Sequence, residues 1–128
     1  MKKLLIILLL IGTTLQGKYT KHKHIERWYQ NKIAPKLYGS TEVKYKGIRA
    51  DIITNAYACE VDFAYKAYEG IGQALYYGII FNLKPCLILI TENPRKDLKY
   101  ILRAKRVSKK YNIKLMTVDK NINIKEIK

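Results

Sequence analysis

The stretch "ACEVDFAYKAYEGIGQALYYG", residues 58–78, decides how this chain is read. Its first half alternates as a strand does, yet Glu60 and Asp62 stand where a core would take hydrocarbon. Residues two apart on a strand share a face, so Glu60 and Asp62 point one way while Cys59, Val61 and Phe63 point the other. Lys66 follows, and a helix from Glu69 to Phe81 then carries Glu69, Gln73 and Tyr77 at steps of four, on one stripe. Such polar groups either line a solvated face or hold something.

Upstream, "TEVKYKGIRADIIT" (residues 41–54) reads as a hairpin. Glu42 to Lys46 alternates, Lys46 and Gly47 turn, and Ile48 to Thr54 forms the second strand. A turn at Asn55 leads into a third strand, Tyr57 to Phe63. Before the hairpin, Ile25, Trp28, Tyr29, Ile33 and Leu37 recur at helical intervals, and Pro35 leaves the helix end open. Downstream, "CLILI" (86–90) has no polar face, as expected of a covered parallel strand. Asn93 and Pro94 open a long basic helix reaching about Tyr111, with Leu98, Ile101 and Leu102 able to face the sheet. "KLMTV" (114–118) makes a further strand, and "NINIKEIK" (121–128) adds an edge or frays. The order is helix, three strands, helix, strand, helix, strand. It predicts an α/β fold in which the first three strands are antiparallel and the third and fourth are joined by a right-handed parallel crossover.

The 128 residues suit one domain, and 25 lysines and arginines against 10 acids give a net charge of +15. That field favours polyanions: nucleic acid, anionic lipid or acidic polysaccharide. The opening "MKKLLIILLLIGTTLQG" has the order of parts of an export leader, and its apolar run is shorter than the ~20 residues a spanning helix needs. The expectation is a signal peptide over residues 1–17, or an uncleaved anchor over residues 4–15, before a single domain at 18–128 that is periplasmic or secreted. His22 and His24 read as exposed, and with Cys59 and Cys86 they lack zinc-ligand spacing. The two cysteines are open between a bridge and buried thiols.

Eight residues separate Asp51 from Glu60, so pairing around a turn at Thr54 to Ala56 brings Asp51 beside the Glu60–Asp62 stretch. Three gathered carboxylates repel unless a counter-charge is present, and a hard divalent cation with oxygen ligands supplies one. This pattern resembles the PD-(D/E)XK nuclease superfamily, with its restriction-endonuclease-like α-β-β-β-α-β core. Asp51 matches the motif aspartate and Glu60 the acidic residue on the next strand. Gln73 and Tyr77 resemble the glutamine-x-x-x-tyrosine helix of the RecB-like branch, and Glu42 the additional upstream acid. The motif lysine would stand where this chain has Asp62, and Lys66 is its substitute. The resemblance implies Mg²⁺ or Mn²⁺ held by Asp51 and Glu60, with Asp62 a third or outer ligand. It also implies phosphodiester hydrolysis in DNA, or RNA, without a small-molecule cofactor, with Lys66, Gln73 and Tyr77 assisting.

In the basic helix, Arg95, Lys99, Arg103, Arg106 and Lys110 follow steps of four, four, three and four and form one cationic stripe suited to phosphates. Tyr57, Tyr65, Tyr68 and Tyr76 read as packing residues. Two other functions stay open: a nuclease-like module that binds nucleic acid without cutting, and a basic envelope protein bound to anionic surfaces, with transient membrane contact through the N-terminal segment.

Overall fold

A computed structural model describes residues 21–128; the expected leader or anchor lies outside the described residues. The elements are α1 (Glu26–Lys36), β1 (Ser40–Tyr45), β2 (Ile48–Ile53), β3 (Tyr57–Phe63), α2 (Ala67–Phe81), β4 (Lys84–Thr91), α3 (Pro94–Tyr111), β5 (Lys114–Asp119) and β6 (Ile124–Ile127). The six strands form one mixed sheet in the order β1-β2-β3-β4-β5-β6. β1, β2 and β3 are antiparallel neighbours, β3, β4 and β5 are parallel, and β6 returns antiparallel along β5. The α/β class and strand directions expected from the sequence are those observed, and the tail forms an edge strand.

Local chemistry explains the joints. Lys46 and Gly47 both have positive φ (48° and 77°), the two-residue turn whose twist suits a hairpin. Thr54 closes the next turn: its N–H donates to the Tyr57 carbonyl at 2.9 Å and its Oγ1 accepts from the Tyr57 N–H at 3.0 Å. α2 and α3 each end on an asparagine in the left-handed region, Asn82 and Asn112. α3 starts on the Asn93 side chain, which accepts from the Lys96 N–H at 3.2 Å, with Pro94 at its first position.

The sheet separates two cores. Tyr29 and Ile33 of α1 pack on Cys59, Val61, Ile88 and Val118 on one side. Ala67, Ile71 and Ala74 of α2 and Ala104 of α3 pack on Leu87, Leu89 and Leu115 on the other. Odd and even positions of β3 thus face opposite cores, as its alternation requires.

Several side chains differ from expectation. Ile25 precedes the first helical turn and is exposed. In α3 the small residues Ala104 and Ser108 take the buried positions, which rotates Leu98 and Leu102 outward (52% and 56% exposed) and leaves Ile101 as the only one of the three predicted residues packed on the core. Tyr65, Tyr68 and Tyr76 are exposed rather than packed; Tyr57 does pack. His22 and His24 are half-buried because their rings stack on Phe63 at 3.6 Å and on Trp28 at 3.7 Å. A short 3-10 turn, Ala64–Lys66, lets α2 begin at Ala67, earlier than Glu69. Cys59 and Cys86 are directly paired across β3 and β4, buried and free. The neighbouring Cys59 thiol, with burial, holds the Cys86 thiol well above its ordinary pKa. No helix among the described residues is long and apolar enough to cross a membrane.

Candidate active site

The site starts from a gap between strands. β2 and β3 pair at Ile53↔Ala58 and Ile52↔Cys59, and continuing that register puts Asp51 opposite Glu60. There the strands part, and Asp51 Oδ2 accepts the Val61 N–H at 2.9 Å in place of a backbone carbonyl. A carboxylate fills the position of a strand partner, which fixes its side chain beside the next strand. β1 extends the line: Thr41↔Ile52 and Val43↔Ala50 bracket Glu42 opposite Asp51. Turn lengths and register therefore bring one acid from each of three consecutive strands into a row.

Asp51 and Glu60 lie within hydrogen-bonding reach of each other, and the contact raises the Glu60 carboxyl while lowering that of Asp51. Glu60 is only 5% exposed. Burial first, and the Asp51 charge second, push its carboxyl up to about 10. Burial also raises Asp51, against the lowering effect of the Val61 N–H. Glu60 Oε2 is buried and has no hydrogen-bond partner among the described residues. Tyr77, near enough to hydrogen-bond Glu60, also donates to Gln73 Oε1 at 3.3 Å. Burial and the facing carboxylates hold the Tyr77 hydroxyl well above the usual phenol range.

Asp62 points to the same face as Glu60, but its partners differ. It accepts the Phe63 N–H at 3.1 Å and lies within hydrogen-bonding reach of Glu26 from α1. Burial and then Glu26 push its carboxyl up to about 8. Lys66 Nζ stands 3.1 Å from Glu26 Oε1 and 3.9 Å from Asp62 Oδ1. Burial pulls the Lys66 amine down, and the Glu26 hydrogen bond and charge more than reverse this, leaving it raised. Lys66 thus delivers an amine to the side chain of position 62. α2 comes close enough for this because residue 70 is glycine: a Cβ there would lie 2.7 Å from Leu87 Cδ1 and 3.6 Å from Asp62 Cβ.

The predicted residues therefore divide. Asp51, Glu60, Gln73 and Tyr77 come together. Asp62 and Lys66 form a second group with Glu26. Glu42 remains in electrostatic range of Asp51 but is drawn into ion pairs with Arg27 at 3.0 Å and Arg49 at 2.6 Å, its backbone in the left-handed region at φ 53°. Asp62 is not a third carboxylate of a ready-made cage, and among the described residues no three His, Cys, Asp or Glu side chains converge as one. Two oxygen donors and the unpartnered Glu60 Oε2 do suit a hard divalent cation completed by water and phosphate. Glu69, on the same stripe of α2 as Gln73 and Tyr77, is exposed, and the carboxylate nearest Lys66 is Glu26.

Sequence reasoning missed Glu26, whose position depends on how α1 docks and on no local spacing. It missed Glu92 too. That carboxylate accepts from the Tyr29 hydroxyl at 2.8 Å and the Lys23 N–H at 3.0 Å, and meets His22 Nδ1 at 3.1 Å. Burial alone would raise Glu92, and these donors hold it below the usual range.

Arg95, Lys99, Arg103, Arg106 and Lys110 all lie on the exposed side of α3. Lys99 Nζ is 5.0 Å and the Arg103 guanidinium 5.8 Å from the Tyr100 ring centre, so that ring spaces two of the cations.

No protein-family pattern and no solved structure matches the chain. A KilA-N domain-containing protein of Acanthamoeba polyphaga mimivirus is 37% identical over 95 residues, covering 73% of this chain. The matched stretch is 37% of that viral protein's length, so the chain corresponds to little more than a third of it.

Proposed function

We propose that the chain is a metal-dependent nuclease of the PD-(D/E)XK type, acting on DNA or RNA. One observation carries the reading. Two acids from diverging strands face each other in a buried place, and one oxygen of Glu60 is left without a partner among the described residues. A core built for stability alone would not hold that arrangement. The helix order, the amine brought to position 62 and the cationic face of α3 support the same class of partner. The similarity to a KilA-N domain-containing viral protein is in keeping with nucleic acid as that partner.

Asp51 and Glu60 would hold Mg²⁺ or Mn²⁺. The ion supplies positive charge to the scissile phosphate and acidity to a water beside it. Releasing the proton of the raised Glu60 carboxyl readies the pair for this role, since a cation replaces it as the counter-charge. Tyr77 and Gln73 orient polar groups over Glu60. The Lys66 amine, kept charged by Glu26, offsets negative charge growing on the phosphate. The α3 stripe grips the backbone without reading sequence.

A second reading has its own observation. Glu26 and Asp62 surround Lys66, so an amine that is never released would leave a scaffold that binds nucleic acid without cutting. Incubating the purified chain with DNA and RNA in Mg²⁺, Mn²⁺ and EDTA separates the two. The nuclease reading expects cutting in either metal, abolished by Asp51→Ala and Glu60→Ala and cut about a hundredfold by Lys66→Ala. Binding that persists in EDTA with no cutting in any metal supports the scaffold instead.

A further inference from the structure

Far from the carboxylates, the structure holds a polar concavity. The first residues of β4 and β5, Lys84 and Lys114, open a cleft of about 270 Å³ with Lys105 and Lys109 of α3 and Lys128 beyond β6. These are the amino ends of the parallel strands, whereas Asp62 and Lys66 lie at the carboxyl end of β3. A seven-residue strand separates the two by roughly 20 Å.

Five lysines thus converge on one hollow, and the carboxylate in its lining is Glu126, 3.9 Å from Lys114. One acid leaves most of that charge uncompensated, and a concave wall with protein behind it concentrates the field. An ordinary solvated lysine face would be convex and spread out. The independent sign is Ser108. It lines the cleft, is 5% exposed, and its Oγ is buried with no hydrogen-bond partner among the described residues. A helical serine commonly bonds a carbonyl one turn back; this hydroxyl does not. A buried hydroxyl left over beside several amines needs an acceptor, and an anionic oxygen is the natural one.

We propose that this cleft binds a phosphate group, with Lys105, Lys109 and Lys114 as charge partners and the Ser108 hydroxyl donating to one of its oxygens. The group would come either from the backbone of a nucleic acid running along α3, whose cationic stripe ends beside the cleft at Lys110, or from a free phosphate compound. The proposal does not depend on the nuclease reading.

The test is calorimetric titration of the full chain with pyrophosphate in EDTA, which keeps divalent metal out of the measurement. One-site binding is expected, weakened about tenfold or more in Lys105→Gln/Lys109→Gln and about fivefold in Ser108→Ala. The control Lys44→Gln/Lys46→Gln removes the same charge from the exposed β1–β2 hairpin and should leave affinity within about twofold. Unchanged thermal unfolding shows that each variant is folded. No binding by the wild type, or equal losses in both double variants, overturns the proposal. The source follows from an oligonucleotide arm: pyrophosphate competing with it, and loss of its affinity in the cleft variant, identifies the backbone. Pyrophosphate binding with oligonucleotide affinity intact identifies a free phosphate ligand. Loss of cutting in Asp51→Ala has no bearing on any of these results.

Discussion

Replacing Glu60 by Gln should change how the stability of the chain depends on pH. The folded protein keeps the Glu60 proton up to about 10, against an ordinary value of 4.5. Between pH 4.5 and 7 the unfolded chain has released that proton while the folded chain retains it. Stability therefore falls as pH rises, by at most about 1.4 kcal/mol per unit. Carried from 4.5 to 7, the slope gives a ceiling of about 3 kcal/mol. Asp51 titrates together with Glu60, so the ceiling belongs to the pair. Glutamine does not titrate, yet its amide can still donate to Asp51. Urea unfolding at pH 5, 6, 7 and 8 should show the wild type losing about 1–3 kcal/mol across that range and Glu60→Gln clearly less. Some slope should remain in the variant, because Asp62 is pushed up to about 8 and titrates in the same direction. Parallel profiles for the two proteins would refute the raised, buried Glu60 carboxyl and with it the facing carboxylate pair.

Other expectations follow from the same geometry. A divalent cation must displace the Asp51–Glu60 proton, so Mg²⁺ or Mn²⁺ affinity should rise from pH 6 to 8 with proton release, measured by calorimetry in buffers of different ionisation enthalpy; Asp51→Asn should remove it. Glu26→Gln leaves Lys66 with only Asp62 and, on the nuclease reading, should lower the cleavage rate about tenfold with oligonucleotide affinity unchanged. Gly70→Val drives a side chain into buried Leu87 and should lower stability by about 1–3 kcal/mol in thermal unfolding. Arg95→Gln/Arg103→Gln should reduce the salt dependence of nucleic-acid affinity by about 0.7–0.9 per charge removed.

Much of the fold was legible because β3 carries two signals at once. Its alternation gives the strand, and its acids mark the face that is not simply core. The position of Asp51 was legible for a related reason: a short turn closed by Thr54 leaves little freedom in register, so counting residues is enough. What was not legible depends on tertiary docking. Leu98 and Leu102 look core-facing until Ala104 and Ser108 set the rotation of α3. Glu26 is an ordinary first-turn acid until α1 lies across the end of β3 and meets Lys66. Asp62 shares a face with Glu60, as alternation demands, yet its carboxyl is captured by the neighbour from α1, and shared direction did not make a shared cage.

The clamp at Glu92 has a consequence for orientation. By holding His22 and the backbone of Lys23, with the His22 ring laid on Phe63, it moors the start of the described chain to the same rim of the sheet as Asp62 and Lys66. The acidic row therefore shares its rim with the first described residues, and the lysine hollow stands at the opposite pole.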